Sequence, residues 1–167
     1  KFLQLDPPKD IYEAINSLLI FYKNVPSVTN YPVYLGNIDE LLEPFMDDVD
    51  EAQAKKLFKL FFTHIDRTVL DSFSHADIGP KATRAGRLIL EVERELLDAV
   101  PNITMKYDTD ITPDDFGIEC VKTALKTAKP SFANHKMFKK ELGENYVIAS
   151  CYNGLLLGGG SYALCRL

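Results

Sequence analysis

Apolar residues recur at Ile11, Ile15, Leu18, Leu19 and Tyr22, on one face of a helix predicted over residues 9–23, with Asp10 placed to cap its first turn. A second run, at Leu57, Leu60, Phe61, Ile65 and Val69, has the same spacing behind an acidic start and predicts a helix over 50–70. A third helix covers "KATRAGRLILEVERELLDAV", residues 81–100, in which Glu91 and Glu95 interleave with Arg87 and Arg94 at spacings of three to four. Between the first two lies "NVPSVTNYPVYLGNIDE", residues 24–40, broken by Pro26, Pro32 and Gly36. It reads as an irregular connection, followed by a helical turn in "IDELLEPF". "DSFSHADIGP", residues 71–80, is small, polar and glycine-bearing and reads as a loop that carries His75.

After Pro101 the period changes. Ile103, Met105 and Tyr107 alternate with Asn102, Thr104 and Lys106, which predicts a strand. "TPDDF" then opens a helix, with Thr112 as N-cap, Pro113 at the first helical position and two aspartates in the first turn; Phe116, Cys120, Val121, Ala124 and Leu125 form its inner side. A short "SFAN", a helical turn from His135 to Leu142, Gly143 and an apolar strand over 145–149 complete a strand, helix, strand, helix, strand alternation. That order argues for an α/β fold with parallel pairing. The reading is one continuous partial domain, mainly helical over 1–100 and α/β over 101–167.

Composition narrows the function. With 167 residues, 46% hydrophobic and 26% charged, the chain can fill one globular core. A net charge of −5 without a Lys/Arg stripe argues against a nucleic-acid partner. The longest nearly apolar run, Leu18 to Tyr22, is far short of the roughly 20 residues that span a bilayer. No basic start with an apolar stretch opens the chain, so it reads as cytoplasmic with no membrane partner. Three cysteines at irregular spacing, Cys120, Cys151 and Cys165, indicate neither a disulfide framework nor a zinc knuckle. His64, His75 and His135 lack tight ligand spacing, so no metal is expected. The start at Lys1 and the stop in the apolar "YALCRL" suggest a piece of something longer.

Candidate chemistry concentrates in "ENYVIASCYNGLLLGGGSY", residues 144–162. Cys151 follows a predicted strand, where α/β folds place functional groups. Gly154, Gly158, Gly159 and Gly160 would let backbone approach a ligand, and a helix starting near Ser161 would aim free N–H groups at an anionic group. The alternative reading is a buried thiol acting as a small hydrophobe, which is the reading given to Cys120 and Cys165. The triple glycine lacks the G-K-[ST] continuation of a phosphate loop. His75 could face a substrate, and His64 and His135 are read as a helix residue and a helix-start residue.

Several segments stand in a known order: "YLGNIDELLEPFMDD", the acidic-start helix at 50, "ATRAGR", "PNITMKY" with "TPDDF", and "ENYVIASC" with its glycine-rich continuation. Together, from about Tyr34 to the end, they resemble the central part of the glycyl radical enzymes, a group that includes pyruvate formate-lyase, the glycerol and diol dehydratases and the anaerobic ribonucleotide reductases. The similarity is greatest to the YjjI group. The resemblance implies a ten-stranded α/β barrel with a cysteine on a finger loop, matched here by Cys151. It implies that a radical kept on a glycine near the C-terminus takes hydrogen from that thiol, and that the thiyl radical then takes hydrogen from a substrate. Tyr152 and Asn153 beside the fingertip, and His75, are expected to contact a small-molecule substrate.

The radical-bearing glycine is expected outside these residues, because none of the glycines lies in an R-V-x-G-Y-type context. An activating enzyme of the radical S-adenosylmethionine class is the implied partner, and homo-oligomer formation is open. Asn153 stands where the dehydratases carry a basic carboxylate, which argues against simple diol dehydration by that route. Ser150 and Tyr152 flank Cys151 where pyruvate formate-lyase has a cysteine pair, which argues against acyl transfer. The alternatives are a non-catalytic helical scaffold or interaction module and, among enzymes, an activity like that of the anaerobic ribonucleotide reductases.

Overall fold

A computed structural model describes residues 3–28, 33–68, 74–144, 146–149 and 153–156, without the side chains of 25–28, 149 and 153–156. The first helix, α1, runs from Ile11 to Val28, takes Pro26 into its last turn, and is capped by the Asp10 carboxylate, which accepts from Glu13 N at 2.8 Å. Ile11, Ile15 and Tyr22 are buried as their spacing predicts. The expected irregular connection contains a strand, β1 (Val33–Asn37). Proline and glycine mask it in the sequence, yet Val33 and Leu35 alternate into the core. Helix α2 (Ile38–Leu42) follows with a 3-10 turn at Glu43–Phe45.

Helix α3 (Glu51–Thr68) buries Ala54, Phe58, Phe61, Phe62 and Ile65. Leu60, expected on that face, is 59% exposed, and Val69 lies outside the described residues. Helix α4 (Arg84–Leu96) starts on Thr83, whose hydroxyl accepts from Gly86 N at 2.9 Å. Its charges do not pair within the helix. Glu91 and Glu95 each meet Lys55 of α3 at 2.7 Å, while Arg87 and Arg94 reach Glu119 at 3.0 and 3.2 Å. Glu119 belongs to α5 (Asp114–Thr127), so these charges join neighbouring helices.

His75 lies in a strand, β2 (Ser74–Ile78), where a loop was expected. Ala76 and Ile78 point into the main core and Asp77 to the opposite face, so the strand alternates small and apolar against polar, a pattern that mimics a loop in composition. Strands β3 (Asn102–Tyr107) and β4 (Ser131–Asn134) complete a four-stranded sheet in the order β1-β2-β3-β4, every pair parallel. Two of its strands fall within residues 1–100. Each strand is added beside the previous one, as in a singly wound α/β arrangement.

The sheet's apolar face, with Val33, Leu35, Ala76, Ile78, Ile103 and Met105, packs in one core with residues of α1 to α5. On α5, Phe116 and Cys120 are buried, but Val121 and Leu125, expected on the inner side, are exposed. Val121, Ile118 and Phe132 instead line a groove beside β4. Thr112 was expected to cap α5; its hydroxyl accepts from Asp108 N at 3.1 Å and donates to Pro80 O at 2.9 Å, tying β3 to the turn after β2.

Helix α6 (His135–Leu142) is capped by Asn134, whose side chain accepts from Met137 N at 3.0 Å. Strand β5 (Tyr146–Ala149) does not extend the parallel sheet as expected. It pairs antiparallel with β6 (Asn153–Leu156), a strand hidden by its glycine-rich context. The two form a hairpin whose last paired residues are Ala149 and Asn153. No helix among the described residues is long and apolar enough to cross a membrane.

Candidate functional site

The hairpin lies against the polar face of the sheet. Alternation sends Tyr34, His75, Asp77, Thr104 and Lys106 to the face opposite the main core. Asp77 is fully buried there, and its Oδ2 gathers three donors: Tyr34 Oη at 2.8 Å, Ile148 N at 3.1 Å and Lys106 Nζ at 3.2 Å. The donors come from β1, β5 and β3, so one oxygen joins the sheet to the hairpin. Oδ1 finds no donor among the described residues. Burial pushes the Asp77 carboxyl upward, and the Lys106 charge opposes that. A buried ion pair of this kind is strongly destabilising to break from one side, because the remaining charge has lost its water as well as its partner.

Lys106 also serves the hairpin. Its Nζ donates to Tyr146 O at 3.4 Å and lies 4.8 Å from the centre of the Tyr146 ring. That ring stacks on Phe138 of α6, centroids 5.5 Å apart, and its hydroxyl is 2.7 Å from His135 Nδ1. Burial holds the Tyr146 phenol above its usual range and lowers the His135 imidazole, so the contact joins two groups that favour their neutral forms. Ala133, Tyr146 and Ile148 form a second, small core with Phe138 and Leu142 beneath the hairpin.

Of the residues singled out in the sequence, His75 stands one rung from Asp77 on the same face, half-buried, with its imidazole pKa lowered by desolvation. Asn153 opens β6 opposite Ala149. Cys151 and Tyr152, between the two strands in sequence, lie outside the described residues, as do Cys165 and the glycines from 158 onward. Cys120 is a core residue whose thiol burial pushes up to about 12, which suits packing rather than thiolate chemistry. No cluster of three or more His, Cys, Asp or Glu suited to a metal occurs among the described residues.

Sequence reasoning missed Asp77, Lys106, Tyr34 and Tyr146. The available signal was the alternation itself: S-H-A-D-I and N-I-T-M-K-Y both place charged residues on one side of an otherwise buried strand.

At the ends of the strands, the turn after β2 is gripped from the preceding unit. Asn37 Nδ2 donates to Gly79 O at 2.8 Å, and Asp39 Oδ2 accepts from Gly79 N at 3.0 Å and Thr83 Oγ1 at 3.1 Å. These contacts account for "GNIDE" and "ATRAG" as a pair of segments built to meet.

The whole chain, residues 1–167, matches the family described as glycyl radical enzyme YjjI-like. It is 50% identical over its full length to an uncharacterised protein of Haemophilus influenzae, of which it covers 32%, and 41% identical to the uncharacterised protein YjjI of Escherichia coli K12, of which it covers 33%. The chain thus spans about a third of the length of these relatives. A match over every residue, with two relatives of high identity, shows that the chain belongs to the YjjI-like glycyl radical enzyme family.

Proposed function

We propose that this chain is the cysteine-bearing section of a glycyl radical enzyme, and that Cys151 is its hydrogen-atom shuttle. The observation that carries the reading is the β5–β6 hairpin, which lies across the polar face of a singly wound parallel sheet and whose paired ends, Ala149 and Asn153, bracket Cys151 in sequence. In a closed barrel of ten strands that polar face would be the interior, and the hairpin would present its tip to a cavity shielded from water.

Cys151 would give its thiol hydrogen atom to a radical kept on a glycine elsewhere in the full-length protein, then take one from a substrate carbon. One S–H bond breaks and one forms. An activated C–H bond has comparable strength, so the exchange needs no large driving force and no acid-base partner for the thiol. His75, Tyr152 and Asn153 would contact the substrate, a small molecule, with Asn153 as hydrogen-bonding partner because an amide cannot act as a base. Installing the radical requires a radical S-adenosylmethionine activating enzyme as partner.

The test needs no substrate. The full-length protein, activated anaerobically by that enzyme, is transferred to D2O and followed by EPR. The Cys151 thiol becomes S–D and returns deuterium to the glycine, so the doublet from the α-hydrogen should collapse in wild type. In Cys151→Ala the radical should form with an undiminished doublet that persists. Collapse at the wild-type rate in Cys151→Ala would refute the assignment.

A further inference from the structure

We infer that the buried Asp77–Lys106 pair is a positioning device for Cys151: it holds the open edge of β5 as a neighbouring strand would, and so fixes the strand from which the chain runs on to Cys151. The inference rests on the reading of Cys151 as the shuttle. Ile148 N–H and Tyr146 C=O leave β5 on the same edge, because backbone groups two residues apart in a strand point the same way. Each meets the charge that suits it. The N–H donates to the Asp77 carboxylate at 3.1 Å, and the C=O accepts from the Lys106 ammonium at 3.4 Å.

The two charges neutralise each other at 3.2 Å, with the Asp77 side chain 0% and that of Lys106 9% exposed, so neither can turn to solvent without leaving the other uncompensated. They stand on adjacent strands, β2 and β3, and Tyr34 braces the carboxylate from β1 at 2.8 Å. The anchor is therefore part of the rigid sheet and its cargo is the hairpin. Ile148 precedes Cys151 by three residues, a reach of at most about 10 Å, so the place of the anchor limits where the cysteine can stand.

The experiment compares full-length wild type, Asp77→Asn and Asp77→Ala. Asn keeps an acceptor for Ile148 N–H but loses the charge that holds Lys106; Ala loses both. Hydrogen exchange is followed in peptides spanning 146–156 and 54–65 of α3, which packs on the opposite face of the sheet, and deuterium wash-in from Cys151 to the radical by EPR. Asp77→Ala should speed exchange in 146–156 by about tenfold or more, affect 54–65 far less, and slow wash-in by roughly 10- to 100-fold, the cost of a misplacement near 1 Å. Asp77→Asn should fall between Ala and wild type in both measurements.

Hairpin amides that exchange as in wild type in Asp77→Ala would overturn the inference, as would protection lost equally from both segments in both variants. Faster hairpin exchange with unchanged wash-in, while Cys151→Ala still abolishes wash-in, would overturn the link from anchor to tip. Wash-in that survives in Cys151→Ala would instead strike the cysteine assignment, and the anchor would then stand or fall on the exchange data alone.

Discussion

Asp39 shows how a single buried side chain organises the turn ahead of the site. It sits fully buried on α2, where its carboxylate takes the N–H of Gly79 and the hydroxyl of Thr83. Burial pushes its pKa to about 6, against the pull of those hydrogen bonds. The sign follows from proton binding. A carboxyl whose pKa rises on folding leaves the folded state holding more protons than the unfolded one between about pH 4 and pH 6, so stability falls as pH rises through that window and is flat above it. Two pKa units correspond to on the order of 3 kcal/mol. Asp39→Asn removes the titration and keeps an acceptor oxygen. The advantage of wild type over Asp39→Asn, read from hydrogen exchange of the 76–82 segment in the full-length protein at matched pH, should therefore shrink between about pH 4 and pH 6. An advantage independent of pH would show that Asp39 stays ionised.

At the scale of elements, the start of α4 explains a glycine that helix propensity opposes. An added Cβ at Gly86 would stand 2.8 Å from Thr83 Oγ1 and 3.3 Å from both Asp39 Oδ2 and Phe116 Cζ. The hydroxyl cannot retreat freely, because it caps Gly86 N and donates to Asp39. Gly→Ala inside a helix ordinarily gains up to about 1 kcal/mol. Here overpacking, typically 1–3 kcal/mol, outweighs that gain, and Gly86→Ala should be destabilising by about 1 kcal/mol or more. The measurement is a double-mutant cycle by denaturant unfolding. In a Thr83→Ala background, which already lacks the cap, Gly86→Ala should cost markedly less than in wild type, since the atom it strikes is gone. Equal costs in the two backgrounds would place the strain elsewhere.

On the scale of the whole molecule, the described sheet has two outer strands, β1 and β4, each paired on one side. Beside β4 lies the apolar groove lined by Ile118, Val121 and Phe132, and Leu125 on the same helix is 84% exposed. A chain that is about a third of its relatives' length and presents both a strand edge and apolar helix surface should not remain dispersed when produced alone. We expect these 167 residues, expressed in isolation, to self-associate, with a light-scattering mass above the 18.8 kDa of one chain. A stable monomer with protected β4 amides would contradict this.

The helices of this protein were legible from residue spacing alone, because a helix buries a stripe that recurs every three to four residues and carries its own start signals, as Asp10, Asn134 and the acidic turn of α5 do. The strands at 102–107 and 146–149 were equally legible, one from strict alternation and the other from its apolar run, and the family was legible from an ordered set of motifs. What spacing could not reveal was pairing. Whether β5 joins the parallel sheet or folds back on β6 depends on which partner offers hydrogen bonds to its edges, and those partners, Asp77 and Lys106, are remote in sequence. Likewise β1 and β2 look like loops because Pro32 and Gly36 flank and interrupt the one while Ser74, His75 and Asp77 make the other polar, and they become strands only when neighbouring strands supply their backbone partners. Local periodicity determined the helices; the choice of faces, edges and buried charge pairs was decided by tertiary contacts, since a buried polar group is tolerable only where the rest of the fold brings it a partner.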